Sequence, residues 1–406
     1  MMKTRSTRAV VALTAAAMLL AACGGDQRDD TQLTLGYILP ESGPLAFLGP
    51  PQIEAVKLAV ADINAAGGVL GKEVILIGGD EAGDEAIARQ TAERLIGEGV
   101  NAVVGAAASG MSLATLSLFH DNQVVMCSAS NTSPAFEDHE SNAFYFRTAP
   151  PDQGQSPILA ERILQDGYRS VAILARSDDY GRSFLDLLTA DLQSQGATVT
   201  AGVVYDANAA SFTADVQQAV AGNPDAVIII GFDESAQVIQ GLLEAGYTAD
   251  RLYGADGNKS NELAAIVNPA NPGVLAGFTG TAPGADKEFS DRLAPLLPNP
   301  NTIYGGQAYD CAVAIALAIV AAGTADPEVF VNQMTEVVGN GGTVCTSFAE
   351  CKGLLEAGQT IDYDGPSGPI EWRSSGAMPS FATYEIWQTQ ADGSVAQIGS
   401  SFAQLD

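Results

Sequence analysis

The chain of 406 residues is long enough for two domains, each able to bury a core of its own. With 47% hydrophobic and 17% charged residues its composition is that of a globular protein, which excludes wholesale disorder. A net charge of −29 repels nucleic acid and anionic headgroups, so neither is expected as a partner of the folded surface.

In chain order, Lys3, Arg5 and Arg8 precede the apolar run Ala9 to Leu20, the arrangement of an export signal over residues 1–22. The run is too short and too rich in alanine to read as a bilayer-spanning helix. Leu20-Ala21-Ala22-Cys23 resembles the bacterial lipobox, against the weaker alternative of an ordinary signal peptide with a chance cysteine. The lipobox implies acylation of Cys23, a flexible tether over residues 23–31, and a mature protein anchored by lipid to the outer face of the cytoplasmic membrane.

Strand and helix then alternate, which predicts parallel sheets and the α/β class. Leu33 to Leu39 reads as a strand, and Pro50 to Ala65 as a helix with Ile53, Val56, Val60 and Ile63 inward, closed by Gly67-Gly68. Val74 to Ile77 and the helix Glu85 to Gly97 repeat the unit, with the acids Asp80, Glu81, Asp84 and Glu85 read as a solvated helix start rather than a calcium site.

The stretch Val103 to Phe136 holds two strand-to-helix junctions in close succession. Gly105 to Gly110 follows one strand, Ser128 to Thr132 follows the next, and both loops are small and carry neither Lys nor Arg. Open backbone N–H groups, hydroxyls and the positive ends of two helices would together seat one carboxylate. Taken singly, Ser109, Ser128, Ser130 and Thr132 read rather as plain helix caps, and only the two adjacent junctions together make a ligand seat an equal reading.

After the strand Ala143 to Arg147, the break Thr148-Ala-Pro-Pro-Asp marks a crossing into a second unit of the same grammar. There, helices Gln155 to Gln165, Ser183 to Gln195, Phe212 to Ala221 and Ala236 to Ala245 alternate with strands at Ser170 to Ala175, Thr198 to Tyr205, Ala226 to Ile230 and Leu252 to Gly254. Tyr309 to Ala322 reads as a core helix, and Phe381 to Gln388 with Val395 to Ile398 as a hairpin about Asp392-Gly393. The expected organisation is a two-lobed body with a hinged cleft: residues 32–147 with 278–375 in the first lobe, and 148–277 with 376–406 in the second.

Once Cys23 is set aside, Cys127, Cys311, Cys345 and Cys351 remain, an even number for an oxidising compartment. Cys345 and Cys351 read as a local staple. A second bridge from Cys127 to Cys311 is expected, with two buried free thiols as the alternative. No CxxC pair exists and only His120 and His139 supply imidazoles, so neither a zinc site nor a thioredoxin-like motif is expected.

From Leu33 onward the chain resembles the type I periplasmic binding proteins, closest to the branched-chain amino-acid-binding group that feeds ABC importers. The motifs that carry the resemblance are Asp62-Ile-Asn-Ala-Ala-Gly-Gly-Val, the two small loops, Phe146-Arg-Thr, Asp179-Tyr-Gly, Tyr309-Asp310 and Asp362-Tyr-Asp-Gly-Pro-Ser-Gly-Pro-Ile. The resemblance implies that Ser109, Ser130 and Thr132 hold an α-carboxylate, that Asp256 receives the α-ammonium, and that Tyr180 and Phe232 close over the ligand. Phe232 replaces a more usual tyrosine, and Asp256 is one carbon shorter than a frequent glutamate. By residue chemistry alone, Asp256 reads also as a helix cap, Tyr180 and Phe232 as a packing cluster, and Phe47 either as the opposite wall or as a dock for the first loop.

No GxSxG elbow, GxGxxG fingerprint or Walker loop is present, and no catalytic triad finds a centre. The expected activity is binding rather than catalysis, by a monomer with no cofactor and no metal, in partnership with ABC permease subunits. A ligand-sensing lipoprotein that signals through a membrane partner is the alternative, as is a receptor for small amides or aromatic acids; a surface hydrolase is remote.

Overall fold

The computed structural model describes residues 28–339, 341–372 and 379–405; Cys23 and the export signal lie outside them. Five strands, β1 (Thr34–Leu39), β2 (Ile75–Asp80), β3 (Ala102–Gly105), β4 (Val125–Ser128) and β5 (Tyr145–Arg147), form an all-parallel sheet in the order β2-β1-β3-β4-β5. The second lobe contributes β6 (Ser170–Arg176), β7 (Thr198–Tyr205), β8 (Ala226–Ile230), β9 (Leu252–Gly254) and β10 (Thr279–Pro283). A small sheet of β11 (Thr343–Cys345), β12 (Ile361–Gly365) and β13 (Gly368–Pro369) follows, then the hairpin β14 (Phe381–Thr389) and β15 (Val395–Gln404). The second sheet runs β15-β14-β10-β9-β8-β6-β7, parallel from β10 to β7 and antiparallel where β14 and β15 join it.

Local chemistry accounts for these elements. Every residue of β8, AVIII, is buried, as a strand covered by helices on both faces requires. Helix Gly49–Ala65 starts with Pro50 and Pro51, which fit the first turn because their missing N–H groups would be orphans there. Asp84 caps helix Glu85–Gly97 by accepting from the Ala86 and Ile87 N–H groups at 2.9 and 3.0 Å. Helix Gly305–Ala322 is long and apolar enough to cross a membrane by composition, yet 83% of it is buried inside the fold, against helix Gly49–Ala65 and the first sheet.

Several boundaries differ from expectation: the helices expected from Ser183 and Tyr309 start at Asp179 and Gly305, the last strand runs to Gln404 rather than Ile398, and three further differences bear on the lobes. β10 pairs with β9 and β14, so Thr279–Pro283 belongs to the second sheet and the return to the first lobe follows Pro283, not residue 278. The short run TGTAP has no periodicity of its own, and its strand character comes from its neighbours. The helix expected from Gln155 begins at Asp152, since the extended Pro151 ends the crossing and frees the next residue to start a turn. The end of the expected tether is docked: Arg28 donates to the Asn122 and Gln123 carbonyls at 2.6 and 3.0 Å, and Asp30 accepts from the Ala325 N–H at 2.7 Å.

Both cysteine pairs are bonded. Cys127 at the end of β4 joins Cys311 in helix Gly305–Ala322, with 5.6 Å between Cα atoms, and Cys345 joins Cys351. The motif residue Asp310 binds the same helix to the later chain, accepting from the Tyr363 hydroxyl at 2.6 Å and the Ser367 N–H at 2.7 Å. The lobes are closed on each other: Leu39, Leu45, Leu48, Ala107 and Ala108 of the first lobe share an apolar cluster with Tyr180, Phe232 and the second core.

Candidate ligand-binding cleft

The carboxyl ends of β3 and β4 bring the two small-residue junctions side by side. Gly105 makes the turn out of β3 with φ +120, and a Cβ there would sit 2.0 Å from the Ile38 carbonyl oxygen, so only glycine fits. The first junction is not the open seat that its sequence predicts. Glu81, at the end of β2, is fully buried, and its carboxyl accepts the Ala107 and Ala108 N–H groups at 2.6 and 3.1 Å. Burial, only partly opposed by those two donors, pushes the Glu81 pKa up to about 8. The expected solvated acidic face therefore loses Glu81, which plugs the anion seat from within.

The second junction is a hydrogen-bonded fabric. Ser128 donates to the Ala106 carbonyl at 2.7 Å, Asn131 to the Ala107 carbonyl at 2.9 Å, and the buried Arg147 to the Asn131 and Ser133 carbonyls at 3.1 and 2.7 Å. Ser130 is drawn into it: its hydroxyl faces the Ala107 carbonyl at 3.1 Å and Gln52 at 3.3 Å, so its one proton is committed inside the first lobe. Ser109 stands at the start of helix Ser109–Asp121 and links the junctions by accepting from the Ser133 N–H at 3.4 Å. The Thr132 hydroxyl is buried with no hydrogen-bond partner. Of the three expected carboxylate ligands, Ser109 and Thr132 thus keep capacity for a guest.

Across the cleft, the structure gathers Tyr180, Phe232 and Asp256. Tyr180 and Phe232 stack with centroids 5.6 Å apart and planes 15° from parallel. The Arg176 guanidinium lies 3.7 Å from the Phe232 centroid and is held by Glu234 at 3.0 Å and by Asp178. Gly257 lets the Asp256 loop pass close by, because a Cβ there would stand 2.9 Å from the Phe232 ring. Phe47 is half-buried against the shared cluster, and the neighbouring Pro44 carbonyl accepts from the Asp233 N–H at 3.3 Å, so the first loop touches the second lobe.

Asp256 is buried and well supplied with donors: Tyr180 at 2.8 Å, Tyr304 at 2.7 Å and Gln155 at 3.3 Å. Burial raises its pKa, and these three donors oppose the rise. Beside it lies Asp152, fully buried at the start of its helix, with neither carboxyl oxygen hydrogen-bonded. Burial raises its pKa well above the usual range, and the charge of Asp256 raises it further, while the nearby Thr132 hydroxyl and Arg147 pull it down.

Asp152, Gln155, Tyr304 and Glu81 were not evident as site residues from sequence. A visible signal existed for Tyr304, an aromatic directly before Gly305-Gly306, which sits in the left-handed region at φ 59 so that its phenol reaches Asp256. A cavity of about 550 Å³ lies between Gly83–Ala86, Gly110 and Met111 on one side and Arg176–Asp179 and Asp206–Asn208 on the other. A larger recess of about 940 Å³, bounded by Asp62, Phe289, Tyr309 and Phe348, lies away from both junctions and includes none of the unpartnered buried groups described here.

Comparison with known proteins agrees with this geometry. The profile of the family described as Periplasmic binding protein matches residues 32–384. The Leu/Ile/Val-binding protein homolog 2 of Brucella abortus is 31% identical over 326 residues, covering 78% of this chain and 85% of that protein. The chemotactic signal transduction system substrate-binding protein BasB of Halobacterium salinarum is 29% identical over 353 residues, covering 84% and 83%. The crystal structure of the leucine-binding protein LivK of Thermotoga maritima superposes with a TM-score of 0.76 at 21% identity, over 91% of this chain and 98% of that one, a likeness of fold. The family is one of solute-binding proteins rather than enzymes, and it works outside the cytoplasm. With matched sequence over nearly the whole described chain and the two-lobed fold to go with it, this protein belongs to the type I periplasmic binding proteins, in the branched-chain amino-acid-binding group.

Proposed function

We propose that the protein is the solute receptor of an ABC importer, anchored by lipid on Cys23, which captures a small amino acid of the branched-chain type by closing its lobes. One observation carries this reading: Ser109 and Thr132 keep hydroxyl capacity at the first-lobe junctions, while the second-lobe Asp256 is buried against Tyr180 at 2.8 Å beside the equally buried Asp152, whose N–H donates to the Thr132 carbonyl. That polarity suits a zwitterion, with its carboxylate at the helix start and its ammonium between the acids. The roof of Tyr180 and Phe232 suits an apolar side chain, and Phe232 adds no hydroxyl to be satisfied. The similarity to Leu/Ile/Val-binding homologues points the same way.

Titration calorimetry with L-leucine, L-isoleucine and L-valine tests the ligand class, with micromolar or tighter binding expected. Small-angle scattering on the same samples tests closure, since a ligand favours the closed state only through contacts absent from the open one. A smaller radius of gyration with ligand is expected. Failure of all three amino acids to bind would sink the branched-chain reading, and an unchanged radius on binding would sink the closure step.

Lipid anchoring predicts that Cys23→Ser moves the protein from the membrane fraction into the soluble extracytoplasmic fraction, or leaves it unprocessed. Equal membrane retention of the variant and the wild type would remove the anchor. A second reading, a sensor that signals through a membrane partner, is favoured by the similarity to the chemotactic receptor BasB. Loss of leucine uptake on deleting the gene, with chemotaxis intact, decides for the importer, and the reverse decides for the sensor.

A further inference from the structure

The segment Arg28 to Gln32, whose sequence reads as the end of a free tether, is bonded to three separate parts of the first lobe. The Arg28 guanidinium donates to the Asn122 and Gln123 carbonyls at 2.6 and 3.0 Å, where a cation meets the negative end of helix Ser109–Asp121. The Asp30 carbonyl accepts from the Ala325 N–H at 2.7 Å and from the Thr324 hydroxyl at 3.1 Å, just beyond helix Gly305–Ala322. Lys72 donates to the Thr31 hydroxyl at 2.5 Å, and the Gln32 side-chain amide donates to the Glu73 carbonyl at 2.9 Å. Gln32, Glu73 and Gln123 each stand two residues before a strand of the first sheet, β1, β2 and β4. The sheet is parallel and the cleft junctions lie at the carboxyl ends of its strands, so the segment is fastened to the pole of the lobe that faces away from the cleft.

Building on the reading of Cys23 as the lipid anchor, we infer that Arg28 to Gln32 is a strap that makes the first lobe the membrane-proximal one and holds the second lobe away from the bilayer. Arg28 is five residues from Cys23, and five residues in any conformation span at most about 18 Å. The opposite posture is out of reach. With the far pole of the second lobe on the bilayer, the six residues of β1 and the seven of β6 would stand in series below Arg28, a height of about 40 Å. The strap is a tether and not an adhesive patch: the pole exposes Asp29, Asp30, Glu73 and Glu328 around Arg28 and Lys72, and anionic headgroups repel such a surface. Released from its bonds, the strap would let the chain run free to Leu33, which raises the reach to about 36 Å and lets the body tilt.

The test uses the full-length lipidated receptor in phosphatidylcholine vesicles that carry a fluorescent acceptor on the headgroups. A donor dye is placed either at Glu98→Cys, where helix Glu85–Gly97 ends on the first-lobe pole, or at Gln193→Cys, near the end of helix Asp179–Ser194 on the far pole of the second lobe. Energy transfer is expected to be at least twofold greater from the Glu98 position. Equal transfer, or more from the Gln193 position, overturns the posture. Arg28→Ala combined with Lys72→Ala is expected to keep the receptor on the vesicles, to bring the ratio of the two signals below about 1.5, and to speed hydrogen exchange of the Ala325 amide at least tenfold. A ratio and an exchange rate that both stay at wild-type values overturn the strap. The comparison of the two labels alters no residue of the strap, so it decides the posture even if the double variant does not fold. A lipid-processed receptor that is absent from the vesicles overturns the anchor and the posture with it, whereas equal transfer from bound receptor overturns the posture alone.

Discussion

Replacing Cys127 and Cys311 together by alanine is expected to lower the stability of the folded chain by up to about 5 kcal/mol. The two residues are 184 apart in sequence, so the bridge removes a very large loop from the unfolded ensemble, and the entropic benefit grows with the logarithm of loop length. Both sites are fully buried, one on the first sheet and one on the helix that returns to it, so the bond also holds the helix against the strand that leads into the ligand junction. Residual structure in the unfolded chain reduces the gain below the ideal figure. Urea denaturation of the double variant and the wild type, without reductant, measures it. A loss under about 1 kcal/mol would show that the bridge contributes little to stability.

A second large effect concerns pH. Stability is expected to fall by on the order of 5 kcal/mol between pH 5 and pH 8. Burial pushes Glu81 up to about 8 from an ordinary 4.5, and Asp310 up to about 7 from 3.8. A carboxyl whose pKa is higher in the folded state holds its proton more tightly there. Its contribution is complete below the unfolded pKa and disappears as pH rises through the folded one. For Glu81 that window runs from 4.5 to about 8, and for Asp310 from 3.8 to about 7. The acids that are lowered, Asp29, Asp80 and Asp392, act only below the ordinary 3.8 and leave the window untouched. Self-repulsion in a chain of −29 pushes in the same direction. Thermal melting at constant ionic strength should therefore give a higher midpoint at pH 5 than at pH 8, with a shallower slope for Glu81→Gln. A midpoint that rises toward pH 8 would contradict the buried, protonated state of these groups.

The alternation of strand and helix was legible because each unit is short, strongly apolar and closed by Gly, Pro or Asp, and these are local signals. The positions of Tyr180, Phe232 and Asp256 around one cleft followed from the family resemblance, and in the structure they do touch. What sequence could not show was decided by distant partners. Glu81 looks like its exposed neighbours Asp84 and Glu85 until β2 and β3 are set on either side of β1 and its carboxyl meets the N–H groups of Ala107 and Ala108. Asp152 hides in a Pro-Pro-Asp break that reads as a linker, and its helix starts earlier than apolar periodicity indicates because its first turn is polar and buried. Ser130 has the right residue type and the right loop, but its hydroxyl is turned toward Gln52, 78 residues away in sequence. β10 has no pattern of its own to betray which sheet it joins.

The first turns of helix Gly305–Ala322 gather contacts that elsewhere would be spread over a whole interface. Tyr304 reaches Asp256, the Gln307 carbonyl takes the Thr148 hydroxyl at the crossing, Tyr309 binds Asp62, Asp310 holds Tyr363, and Cys311 is bonded to Cys127. Any rotation of one lobe on the other must pivot near this turn, since it is fastened to both. In a rigid rotation, displacement grows with distance from the axis. On the proposed reading, the charged end of the ligand rests near Asp256 and so close to this turn, where the lever arm is short and the geometry changes least between open and shut. If the ligand is held as proposed, substitutions meant to alter which side chain fits belong away from this turn, where they leave the recognition of the ammonium undisturbed.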